Sequence, residues 1–184
     1  MNKNCPFDKT RGTMAKEKLD VIRKIRTFSG VYIDIFDPNP KHILIEDIAN
    51  GLMQIPRFAG QLPLVNGISY SVLNHVINCF ILAPLEEERA ALLHEAFEAY
   101  TGDIPSPWKR FLPEYVAAED RFLRVVAKKF GFTYPFNSPM KDIDRAMLEY
   151  EWNHIVLQKE GFPFPIRTME EARDKFIDIC RCVL

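Results

Sequence analysis

Apolar residues recur at helical spacing through most of the chain, and prolines and glycines punctuate the periods. Ile45 to Gln54 predicts a short helix with Glu46 and Asp47 in its first turn, where acids suit the helix dipole. Ser69 to Leu82 predicts a strongly apolar helix, closed by Pro84. Leu85 to Tyr100 predicts a continuous helix whose broad apolar face carries Leu85, Ala90, Ala91, Leu92, Leu93, Phe97 and Tyr100. Glu114 to Phe130 predicts a long amphipathic helix with Val116, Phe122, Leu123, Val126 and Phe130 on its core side and Gly131 at its end. Met140 to Leu157 predicts another, and Thr168-Met169-Glu170-Glu171 has the capping-box spacing that opens a last one. Thr27 to Phe36 alternates around Gly30 and predicts a β-hairpin, stopped by Asp37-Pro38-Asn39-Pro40. The sum is about six helices and one hairpin, an all-α class. Residues 1–22 are polar and predict a flexible leader, which leaves 23–184 as a single domain.

Dense polar chemistry meets apolar helix at one place, His94-Glu95-Ala96-Phe97-Glu98 followed by Thr101-Gly102-Asp103. On a helix His94 and Glu98 share a face and Glu95 adjoins it, so an imidazole and two carboxylates gather near a helix end. Asp103 projects from the turn beyond. Three readings compete: a solvated face, a zinc-protease motif, and a metal site with a nearby general acid or base. The protease motif needs a second His where Glu98 stands and is discarded. His75 read alone is a hydrogen-bonded core histidine. It becomes a candidate ligand because a short link can bring the next helix, with His94, alongside it. Cys79 reads as a small core residue, and Cys180-x-Cys182 has no partner pair.

Composition narrows the function classes. The chain has 184 residues, 47% of them hydrophobic, and a net charge of -1. Such a balance gives no electrostatic case for binding nucleic-acid polymers or membranes. No apolar run approaches the roughly 20 residues of a membrane span, and the first residues lack the apolar core of a signal peptide. A cytoplasmic protein with reduced thiols is expected.

His75, His94-Glu95 and Asp144 together resemble the His…His-Asp…Asp framework of the HD-domain metal-dependent phosphohydrolases. Arg57-Phe58 resembles the Arg-aromatic pair that precedes the first His in the family's nucleotidases, and Tyr70 to His75 resembles the segment around that ligand. His94 to Lys109 resembles His-Asp-x-x-Glu…Thr-Gly-Asp-x-Pro-[Ser/Thr]-Pro-x-Lys. That pattern occurs in bacterial 5'-deoxynucleotidases and in short phage and bacterial relatives, including deoxyadenosine triphosphate triphosphohydrolases. The similarity spans roughly residues 25 to 155. Two departures stand out: Glu95 replaces the family's Asp, and Gln61 stands where relatives often have His.

The resemblance implies an HD-domain helical bundle and hydrolysis of a (deoxy)nucleotide, as a monophosphate or by removal of a whole triphosphate. It implies His75, His94, Glu95 and Asp144, a nitrogen and oxygen set without thiolates, as ligands of one divalent metal, Mn, Co, Ni, Fe or Zn, with Mg a further option. Asp142 rivals Asp144, which fits the family's Lys-x-x-Asp pattern better. Glu98 and Asp103 are the expected catalytic acids, positioning the water and protonating the leaving oxygen. Arg57 and Lys109 are expected on phosphate, Phe58 against the sugar and Ser106 in a hydrogen bond to the nucleotide. A homodimer is implied. Two alternatives stay open: a nucleotide-binding protein on the same scaffold, its catalysis weakened because Glu95 displaces the carboxylate by about 1 Å, and a hydrolase of a signalling nucleotide.

Overall fold

In the computed structural model, which describes residues 23–184, the chain opens with an antiparallel hairpin. Strand β1 (Lys24–Arg26) pairs with β2 (Tyr32–Asp34), with Ile25 opposite Ile33. The first strand lies upstream of the expected Thr27, because Thr27 to Val31 makes the reversal. Thr27 N donates to Val31 O, and Gly30 takes a positive φ of 88° that its missing Cβ permits. The hairpin tip is tied down by Asp47, which accepts from Ser29 N at 2.7 Å and Ser29 Oγ at 2.8 Å. The expected leader and Cys5 lie outside the described residues.

Asp47 sits on α1 (Ile45–Met53), which buries Ile48, Ala49 and Leu52. A 3-10 turn, Arg57–Gly60, follows. Phe58 and Ala59 within it are left-handed, at φ 54° and 52°, a strained arrangement for residues with a Cβ. Backbone hydrogen bonds from Arg57 N to Tyr70 O and from Val72 N to Ile55 O strap this turn to the start of α2 (Val72–Leu82). Ser71 caps α2 by accepting from Asn74 N, which moves its start inward from the expected Ser69.

The predicted helix from Leu85 to Tyr100 is not continuous. A 3-10 turn at Leu85–Glu87 leads into α3 (Glu88–Leu93), and α4 covers Glu98–Thr101. Between them His94 to Phe97 is wound more tightly, with Ala96 N donating to Leu93 O and Glu98 N to Glu95 O. These three-residue spacings are 3-10 bonds. Gly102 ends α4 as expected.

A short α5 (Ser106–Lys109) precedes α6 (Pro113–Phe130), which ends at a left-handed Gly131. Val116, expected in the core, is 43% exposed, and Ala118 and Ala127 take the inner face with Phe122, Leu123 and Val126. Asn137 caps α7 (Ser138–Glu151), which widens into a π turn at Trp152–Val156 instead of running on as α-helix to Leu157. The Thr168–Glu171 capping box is formed and opens α8 (Met169–Val183).

The fold is therefore mostly helical with one small hairpin. Helix α2 is central: it packs against α1, α3, α7 and α8. The main core gathers Leu73, Ile77, Leu92, Phe97, Phe122 and Phe176. A smaller apolar cluster, with Cys79, Ala90, Ala91, Met140 and Met147, locks α7 onto α2 and α3. Among the described residues no helix is long and apolar enough to cross a membrane.

Candidate metal centre and cavity

Three helical segments converge on one point. His75 comes from the middle of α2, His94 from the tightened turn after α3, and Asp144 from α7. His75 Nε2 and His94 Nε2 stand 3.2 Å apart. Asp144 Oδ1 lies 3.3 Å from the first and 3.8 Å from the second. Asp142, the rival carboxylate, points outward to Arg145.

The other ring nitrogens explain what this convergence means. His75 Nδ1 is 2.6 Å from the Glu151 carboxylate, and His94 Nδ1 is 2.9 Å from the Ala91 carbonyl. Both partners only accept, so both Nδ1 atoms carry the hydrogen. Neutral rings then aim two Nε2 lone pairs at each other and at a carboxylate oxygen. Three donors facing inward repel unless a cation or a shared proton lies among them. Without a cation, His75 is held well above the ordinary imidazole range. Burial and Arg57 oppose its charge, and Cys79, Glu151 and Asp144 outweigh them. Asp144 is held far below the usual carboxylate range; burial opposes this, and hydrogen bonds with His75 and His94 dominate.

Glu151 was not anticipated from the sequence. Fully buried, it accepts from Tyr70 Oη at 2.9 Å and Arg57 Nη2 at 3.1 Å as well as from His75. Burial works against its charge, and His75 and Arg57 still bring it down to about 2. Asn78 Nδ2 donates to the Tyr70 hydroxyl and extends the network. The available signal was spacing, since Glu151 is two helical turns beyond Asp144 and on the same face of α7. Cys79 was missed in another way. It is buried as expected, but its Sγ lies 3.5 Å from His75 Nε2, so the donor cluster does include a thiol.

A cavity of about 630 Å³ opens beside these donors, lined by Arg57, Phe58, Glu95, Glu98, Asp103, Ser106, Lys109, Asp144 and Trp152. His94 faces an adjoining hollow of about 380 Å³ that shares Glu95, Ser106, Lys109 and Asp144. All ten residues singled out in the sequence thus meet at one place. Glu95 Oε1 lies 3.8 Å from His94 Nε2 and 3.7 Å from Arg57 Nη1. Burial opposes the Glu95 charge, but His94 and Arg57 keep its carboxyl low.

Glu98 behaves oppositely. Burial, then the charges of Glu95 and Asp103, push it up to about 9. Its Oε1 is 3.4 Å from Lys109 Nζ, and its Oε2 has no hydrogen-bond partner among the described residues. Asp103 is also raised, by burial first. Lys109 is shared with Glu119 at 3.0 Å. At the rim, Phe58 and Trp152 face each other at 6.3 Å between ring centroids. Trp152 is a wall residue, and nothing in its helical setting marks it as one in the sequence.

No family model matches the chain. Over 152 residues the chain is 39% identical to the Escherichia coli (strain K12) protein YfdR, and the match covers 83% of each. Over 129 residues it is 39% identical to the Rhodobacter capsulatus protein RCAP_rcc00048, covering 66% of this chain and 65% of that one. Both relatives are named as uncharacterized proteins.

Proposed function

The chain belongs to the family of the Escherichia coli protein YfdR, and for it we propose a metal-dependent phosphohydrolase of the HD type acting on (deoxy)nucleotides. The observation that carries the reading is the pair of Nε2 atoms 3.2 Å apart with Asp144 Oδ1 beside them. His75, His94 and Asp144, with Glu95 at the cavity edge, would hold one divalent cation. Such a mixed nitrogen and oxygen set suits Mn, Co, Ni, Fe or Zn. When bound, the cation supplies polarisation of a phosphoryl oxygen and a lowered pKa for water.

The remaining chemistry belongs to the chain. Arg57 stays charged, because Glu151 and Glu95 outweigh the cost of its burial, and its planar fork suits a phosphate. Lys109 reaches the same cavity. Glu98, whose carboxyl is pushed up to about 9 by burial and by the charges of Glu95 and Asp103, would donate to a leaving oxygen. Asp103, which lines the same cavity, would position the attacking water. Phe58 and Trp152 offer aromatic faces for the sugar or base. The reading includes a cytoplasmic protein, a homodimer, and no binding of nucleic-acid polymers.

Release of phosphate or triphosphate from a panel of dNMPs and dNTPs with Mn, Co or Mg tests this, with bound metal measured alongside. Glu98→Ala is expected to abolish turnover while metal stays bound. Unchanged turnover in that variant removes Glu98 from the mechanism, and a metal-free, inactive wild type removes the reading. One observation favours a second reading, a nucleotide binder with weakened catalysis: Glu95 lies as close to Arg57 as to His94. Metal and nucleotide binding without turnover would select it.

A further inference from the structure

We propose that Cys79 is a ligand of the same centre, making it a His-His-Asp-Cys site for a thiophilic cation; this rests on the metal-centre reading above. His75 and Cys79 are four apart on α2, a spacing that presents both side chains on one helix face. The Cys79 Sγ, the two Nε2 atoms and an Asp144 oxygen all lie within 4.8 Å of one another. A tetrahedral zinc site has bonds of about 2.3 Å to sulfur and about 2.0–2.1 Å to nitrogen. Tetrahedral angles then set N···S at about 3.5 Å and N···N at about 3.3 Å. The corresponding separations here are 3.5 Å for His75–Cys79 and 3.2 Å for His75–His94. The His75–Asp144 distance of 3.3 Å falls on the same scale.

Glu95 divides its charge between His94 and Arg57 on the cavity side. Cys79 lies behind, with no solvent exposure. The thiolate completes the inner side of the centre and leaves the cavity side for water and substrate. On coordination the S–H bond breaks, its proton passes to solvent, and the sulfur lone pair goes to the cation. Nothing is oxidised or reduced. A thiolate in the set favours zinc, ferrous iron or cobalt over magnesium or manganese.

The test uses the full chain, stripped of metal with a chelator and titrated with cobalt(II) alone. The expected result is a thiolate-to-cobalt charge-transfer absorption that saturates at one equivalent. It should persist when Cys5, Cys180 and Cys182 are all changed to Ser, and vanish in Cys79→Ala and Cys79→Ser. Cobalt bound to the wild type without that absorption overturns the Cys79 assignment and leaves the metal centre standing. Absorption that survives in Cys79→Ala overturns it as well. If the wild type takes up no cobalt, the metal centre itself fails, and this inference with it. The wild-type and triple-Ser measurements decide the matter even if a Cys79 variant does not fold.

Discussion

Glu151 keeps its charge in a fully buried position because His75, Tyr70 and Arg57 all donate to it. A carboxylate behind a ligating histidine orients the ring and raises its basicity. Glu151→Gln should therefore weaken metal binding by about 10- to 100-fold, read by competition with a chromophoric chelator. Glu151→Ala should go further and strand Arg57. Removing one partner of a buried ion pair costs about 3–5 kcal/mol, measurable by urea denaturation. The sequence could not single out Glu151. A buried acid and a surface acid are written alike, and only the partners brought by α2 and the Arg57 turn distinguish them. The convergent donors were more legible. His75, His94 and Asp144 resembled a family pattern, and the His94–Lys109 segment carried its own spacing.

The helices themselves were largely legible, because their caps and stops are local chemistry. The Thr168–Glu171 box and the left-handed Gly131 formed where they were expected. The break at His94–Phe97 was not legible, since helix-forming residues run straight through it. Its 3-10 bonds turn His94 onto Ala91 O and bring Glu98 into the cavity wall. That wall depends on Gly51. A Cβ there would collide with the Ala99 backbone, so α1 can approach α4 only where the side chain is missing. Gly51→Ala should cost about 1–3 kcal/mol in thermal unfolding. It should also displace Glu98 and lower any Glu98-dependent turnover. A variant as stable as the wild type would mean that α4 can yield without loss.

Composition and periodicity were enough for the all-α class, since the apolar faces of these helices have only one another to cover them. The way in which α7 closes over the rest was hidden, because it depends on pairings between distant segments. Among His75, His94 and Asp144, Asp144 has the most exposed side chain, and α7 reaches the core through the smaller apolar cluster. Zinc or cobalt should raise the melting temperature in proportion to the logarithm of its concentration. The gain is about 2.7 kcal/mol at a hundred times the dissociation constant. Chelator should reverse the rise, and His94→Ala should abolish it, both read by scanning fluorimetry. Because the donors come from α2, the turn after α3 and α7, an ion among them acts as a clasp across the chain. A simple melting curve would then report occupancy of the centre with no substrate present.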